Sequence, residues 1–190
     1  MVFLLTRTLA VIYAAIAISH IGGCAVDPKK ESLANYVNHD ILAIASIESV
    51  AFERYAAVTG KNYTTDQAVY IALRDEVIPV YKRFNHLLNR VDLEDEEVAR
   101  VHGLYLKGSR KVLKGFELKL YGIADKDEAV IILANKQIDE GIKKTLTWRD
   151  QVLALAGERG LRDLSKEQSK FEKFFYSLDE IISNMGPTEQ

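Results

Sequence analysis

From residue 28 onward, apolar side chains recur at steps of three and four, the period of an amphipathic α-helix. The first stripe is Leu33, Val37, Ile41, Ile44, Ile47, Ala51, Tyr55 and Val58. Asp27-Pro28 supplies an N-cap and a proline at the first helical position, and Gly60 supplies a stop, so the pattern predicts a helix over 28–59. Thr64-Thr65-Asp66-Gln67 reads as a capping box for a second helix, with the stripe Leu73, Val77, Val80, Phe84, Leu87 and Val91. Pro79 falls inside that helix, where it removes a backbone donor and predicts a kink or an unpaired carbonyl.

Asp92 opens a third helix, with the acids of 94–97 in its first turn, where the helix dipole favours negative charge. Its stripe is Val98, His102, Leu106, Ser109, Leu113, Phe116 and Leu120, and Gly108, Gly115 and Gly122 repeat along it every seven residues. An interior glycine costs about 1 kcal/mol against alanine, so the row calls for a reason. Close approach of a neighbouring helix is one, and a ligand groove is the other. The acids and lysine of 125–128 cap a fourth helix with the stripe Ile131, Ala134, Ile138, Ile142, Thr145, Trp148, Val152 and Leu155, ended by Gly160. Ser165-Lys166-Glu167-Gln168 starts a fifth, carrying Phe171, Phe175, Leu178, Ile182 and Met185 up to Gly186-Pro187.

No segment alternates with the period of a strand. Connections of about two to six residues make consecutive helices neighbours. The expected fold is therefore all-α: an antiparallel up-and-down bundle of four long helices plus a shorter fifth helix, preceded by a helical signal segment. The bundle domain spans 28–186, followed by a tail at 187–190.

Residues 1–23 differ from the rest. They hold one formal charge, Arg7, then an apolar run from Thr8 to Ser19 and the small residues before Cys24. A short basic region, an apolar core of 7–15 residues and a small-residue cleavage site are the parts of a secretory signal, and the run is shorter than the roughly 20 residues a membrane span needs. Ile21-Gly22-Gly23-Cys24 resembles the lipobox of bacterial lipoproteins. The resemblance implies cleavage between Gly23 and Cys24, removal of 1–23 and a diacylglyceryl group on Cys24, with 24–27 as a short anchored linker. Cys24 is the single cysteine of the 190-residue chain, so no disulfide can form within it. The residue after the cysteine is Ala25. In a Gram-negative host the family pattern then favours the periplasmic face of the outer membrane.

The remaining 167 residues suffice for one domain with a core. Formal net charge is −2 for the whole chain, and losing Arg7 makes it more negative, which argues against nucleic acid as a partner. Candidate chemistry is sparse. The residues three before His39, His86 and His102 are Tyr36, Arg83 and Ala99, so the Glu-x-x-His of di-metal bundles is missing. Haem attachment and thiolate zinc sites are missing too, and no Gly-x-Ser-x-Gly elbow occurs. No catalytic residue, metal ligand or cofactor is assigned. His39 and His86 read as surface residues and His102 as a satisfied, partly buried one. Glu48 flanks the first stripe and reads as a solvated or arginine-paired edge residue, with an acid–base role as the sharper alternative. Lys107, Arg110, Lys111, Lys114 and Lys119 gather on one side of the third helix as a solvated face; with Lys143 and Lys144 they offer a contact for anionic lipid. Phe174 and Tyr176 fall off their stripe and could mark a partner surface.

The stretches Ile78-Pro79-Val80-Tyr81, Val101-His102-Gly103-Leu104-Tyr105, Ala134-Asn135 and Trp148-Arg149 resemble helical domains of exported bacterial proteins, a likeness that implies a fold and no activity. The expectation is a non-enzymatic, membrane-anchored bundle of the cell envelope, extracytoplasmic, acting as an interaction or scaffold module for an envelope protein partner. The alternative is a small-ligand binding or sensing module with a pocket or hinge near Pro79, His102, Gly108 and Gly115. Catalysis is the third and weakest reading.

Overall fold

The computed structural model describes residues 27–161. The signal segment, Gly23, Cys24, the fifth helix with Phe174 and Tyr176, and the tail all lie outside the described residues. Among the described residues the chain is all-α, with four long helical stretches and no strand. None of the described helices is long and apolar enough to cross a membrane.

The first stretch, α1, runs through Pro28–Asn35, a π-helical turn at Tyr36–Ile41 and Leu42–Ala56. Asp27 caps it by accepting from the Lys29 amide at 3.0 Å. It ends three residues before the predicted limit. Gly60 (φ 54°) instead sits in a short 3₁₀ turn at Gly60–Asn62. Helix α2 comprises Asp66–Ala72, a second π-turn at Leu73–Val77 and Ile78–Leu88. Thr65 caps it through the Ala68 amide at 3.2 Å.

That second π-turn answers the question Pro79 raises. The Ile78 amide donates to the Leu73 carbonyl, a bond wider by one residue than the α-helical one. Such a widened turn just before a proline relieves the crowding its ring would cause in a regular helix. Pro79 itself stands exposed on the outer side of α2. The extra residue also rotates the core-facing stripe. The sequence pattern continues from Val77 to Val80, Phe84 and Leu87; Val77 and Phe84 are buried as predicted, whereas Ile78, Tyr81 and Leu88 take the other core positions.

Helix α3, Glu96–Asp125, starts later than predicted. Its N-cap is Asp95 and not Asp92, because the Asp95 carboxylate accepts from the Glu97 amide at 3.0 Å and the Val98 amide at 3.2 Å. Arg159 fixes that carboxylate in place, its guanidinium lying 2.7 Å from Asp95 and 2.9 Å from Glu97 while also donating to the Lys29 carbonyl. The start of α1, the cap of α3 and the end of the fourth helix are thereby tied at one point. Helix α4, Glu128–Glu158, follows after two residues and is capped by Asp127. The connections at 57–65 and 89–95 are longer than the predicted range; the first contains the 3₁₀ turn and the second the Asp95 cap.

The glycine row lies on the α3–α4 seam. A methyl group at Gly108 would stand 2.8 Å from the Gly141 carbonyl oxygen and 2.8 Å from the Thr145 hydroxyl. At Gly115 it would stand 2.9 Å from both the Ala134 carbonyl oxygen and the Ile138 amide, and at Gly122 3.0 Å from the Ile131 amide. Gly141 answers from the other side, 2.8 Å from the Gly108 carbonyl oxygen. Glycine is needed here because backbone meets backbone.

Candidate functional site: a buried carboxyl cluster

The polar groups that face each other inside the described fold come from all four helices. Glu48 on α1 is 0% exposed. This corrects the sequence reading of a solvated or arginine-paired edge. After the π-turn at Tyr36–Ile41 the core positions of α1 are Ile41, Ile44, Ala51 and Tyr55 of the predicted stripe, joined by Ala45, Glu48 and Phe52. Glu48 takes one of them and Ile47 moves to the flank.

Its two oxygens each have a phenol. Tyr81 of α2 donates to Oε1 at 3.1 Å, and Tyr105 of α3 donates to Oε2. Burial pushes the carboxyl up to about 7, against the opposing pull of the two phenol hydrogen bonds. The same burial, together with the charge Glu48 can carry, pushes both tyrosines well above their ordinary value.

A second chain of bonds runs beside it. Trp148 of α4 donates its indole hydrogen to the Tyr36 hydroxyl at 2.9 Å. Tyr36 Oη stands 3.0 Å from His102 Nδ1, and His102 Nε2 stands 3.2 Å from the Leu88 carbonyl oxygen. A carbonyl can only accept, so Nε2 carries the hydrogen, and Nδ1 accepts from Tyr36 in a neutral ring. Burial lowers the His102 pKa, partly opposed by the bond to Leu88, which agrees with that tautomer. The two chains meet where the Tyr105 ring stacks on Trp148, with centroids 3.9 Å apart. Phe52, Phe84 and Phe116 pack edge-on or tilted around Tyr81 and Tyr105.

Each side-chain polar atom in this cluster has a partner, and Tyr36, Glu48, Tyr81, Tyr105 and Trp148 are all sealed from solvent. The arrangement can store a proton on Glu48 and hold four helices in register. It presents no face to a substrate. No group of His, Cys, Asp and Glu suited to a metal ion occurs among the described residues.

The candidate residues from the sequence separate. Gly108 and Gly115 share the α3–α4 seam, whose space the α4 backbone fills, so the groove imagined along them is occupied by protein. His102 belongs to the buried cluster, and Pro79 faces outward. His39 and His86 are exposed, as read from the sequence. Lys119 departs from the predicted solvated face. It lies half-buried, donating to the Tyr55 hydroxyl and to Asn135 Oδ1 at 2.9 Å each, with the Tyr55 ring 5.3 Å away. Burial brings its pKa down to about 8 despite the charge of Asp66. Lys107, Arg110 and Lys114 do stand in solvent, and Lys111 pairs with Glu140.

Sequence reasoning passed over Tyr36, Tyr105, Asp95 and Arg159 as site residues. The signal for Arg159 was weak but present: an arginine just before the terminating Gly160, where a helix end offers carbonyls and nearby caps offer carboxylates. Comparison with known proteins finds no matching family model, no matching curated protein and no matching solved structure.

Proposed function

We propose that this protein is a non-enzymatic scaffold of the bacterial cell envelope, held extracytoplasmically by lipid on Cys24, and that its four described helices form an antiparallel up-and-down bundle that a fifth helix at 165–186 completes. The observation that carries the reading is the position of the first cap. Asp27 closes the N-terminus of α1 three residues after Cys24. A lipid on that cysteine would therefore act on the bundle through a very short lever, holding its first end at the bilayer surface.

Two sets of bonds support the up-and-down arrangement. Arg159 joins Lys29 and Asp95, while Lys119 joins Tyr55 and Asn135. On the seam, ascending numbers on α3 meet descending numbers on α4, from Gly108 with Thr145 to Gly122 with Ile131. In that arrangement the exposed side chains Tyr63, Tyr121, Ile132 and Leu133 fall toward the end away from Asp27, where a protein partner can reach them. The sealed state of the polar cluster supports a structural role over a catalytic one.

The test is crosslinking of the lipidated protein in its native membrane, with Cys24→Ser as the unanchored control. A defined envelope protein captured by the wild type and lost in the variant supports the scaffold. Self-crosslinks alone, or the same products with and without the anchor, refute it.

A further inference from the structure

Glu48 combines three features that a purely structural residue does not need. It is a carboxyl group with no exposure, its hydrogen-bond partners are two neutral phenols and not a cation, and it links α1 to two other helices. Both α1 and α2 carry a π-turn close to the link: Tyr36–Ile41 ends seven residues before Glu48, and Leu73–Val77 ends four residues before Tyr81. A π-turn is an α-helix with one residue too many, and it is a place where a helix bends. We propose that Glu48 is a proton-operated latch on α1: protonated, its carboxyl keeps α1 docked on Tyr81 and Tyr105, and ionised, it lets α1 loosen about its π-turn.

The direction follows from solvation. An ionised carboxylate inside the bundle has lost its water and gained only two neutral donors, whereas the same carboxylate in a loosened α1 regains water. Opening therefore becomes easier as pH rises from the ordinary carboxylate range to about 7, where the enclosed group itself ionises, and levels off above that.

Neighbouring groups leave the window largely to Glu48. From α2 it is faced by Tyr81 and from α3 by Tyr105, both raised far out of range; from α4 the uncharged Trp148 stacks on Tyr105. His102 of α3 acts through Tyr36 and is lowered by burial, so its titration opposes the rise and cannot produce it. On α1 itself, Asp40 acts on Tyr36, and Tyr55 is raised by burial. Lys119 of α3 loses charge near pH 8, against Tyr55 of α1, and burial raises the Asp40 carboxyl of α1, so both titrations need a control.

Hydrogen exchange on the full chain tests the latch, read on peptides covering 42–56 and, for comparison, 128–158. After correction for intrinsic rates, the opening of 42–56 is expected to rise on the order of fiftyfold between pH 5 and pH 8, the span set by an ordinary carboxylate shifted to about 7. Glu48→Gln should abolish that rise, whereas Lys119→Met and Asp40→Asn should each keep it. Equal protection of 42–56 at both pH values, or the same rise in Glu48→Gln, overturns the proposal. Should the glutamine variant fail to fold, a carboxyl ¹³C titration of the glutamate-labelled wild type decides. One glutamate titrating near neutrality supports the latch, and every glutamate titrating in the ordinary range overturns it.

Discussion

Tyr105 lies flat against Trp148, with ring centroids 3.9 Å apart and planes 17° from parallel, while its hydroxyl donates to Glu48. One side chain thus joins an aromatic stack to a buried acid, and removing only its oxygen separates the two roles. Tyr105→Phe keeps the stack and leaves one carboxyl oxygen short of a donor, which costs about 1–3 kcal/mol when the group stays buried. The expected result is a lower melting temperature with unchanged helix content, and a smaller loss at pH 5, where Glu48 is protonated, than at pH 8. Equal losses at both pH values would separate Tyr105 from the carboxyl's charge.

The wild type should itself lose stability as pH rises. The Glu48 carboxyl sits at about 7 in the folded chain against 4.5 in its ordinary state. Between those values the folded chain holds a proton that the unfolded one has released, so stability is greatest at the acidic side of the window and falls toward neutrality. The loss is at most about 3.5 kcal/mol, since each tenfold difference in proton affinity between the two states is worth about 1.4 kcal/mol. Urea midpoints across this window should fall with pH in the wild type, beyond any trend retained by Glu48→Gln.

The glycine seam gives a contrast within one helix. Gly115→Ala places a methyl group 2.9 Å from two backbone atoms of α4, and overpacking of that kind costs typically about 1–3 kcal/mol. Gly103, on the same helix, has nothing within 4 Å of the added carbon, so alanine there should stabilise by up to about 1 kcal/mol through helix propensity alone. Thermal melts of the two single variants check the pair. A stabilising Gly115→Ala would mean that the helices are not held at this distance.

Arg159 and Asp95 should behave as a buried ion pair, their side chains 6% and 11% exposed. Removing one partner of such a pair costs on the order of 3–5 kcal/mol, because the other is left without its counter-charge. Arg159→Met should therefore destabilise strongly. The Asp95 carboxyl is held below its ordinary value, first by the Arg159 hydrogen bonds. This contribution is present at neutral pH and fades only as acid titrates Asp95 below the usual carboxylate range. Acid unfolding midpoints of the wild type and Asp95→Asn would measure it.

How much of the fold and the cluster was legible in the sequence differs from helix to helix. On the uninterrupted α3, Val98, His102, Ser109 and Phe116 of the stripe are buried, but Tyr105 and Val112 take the places given to Leu106 and Leu113. On α4, which has no π-turn, the stripe from Ala134 through Ile138, Ile142, Thr145, Trp148 and Val152 to Leu155 is the buried face. On α1 and α2, the strict three–four reading puts Ile47 and Val80 where Glu48 and Tyr81 actually stand. A π-turn leaves no composition signal that a periodicity count can register, apart from Pro79 on α2. Glu48 itself stands at regular spacing, four residues after Ile44 and three before Ala51, and was passed over because a carboxylate is rarely fully buried. The cap at Asp95 was missed for another reason: five carboxylates stand within 92–97, and Arg159, which selects among them, lies more than sixty residues away. Lys119 read as exposed because the lysines beside it are, yet one helical turn decides whether such a stem lies over Tyr55 or in water.

The proposed scaffold depends on an anchored mature chain, and the intact mass of the protein extracted in detergent from its native membrane addresses that most directly. The predicted spectrum is a chain that begins at Cys24, lacks residues 1–23 and carries the added mass of a diacylglyceryl group, a species that disappears in Cys24→Ser. A chain that retains residues 1–23, or one in which Cys24 is unmodified, would contradict it.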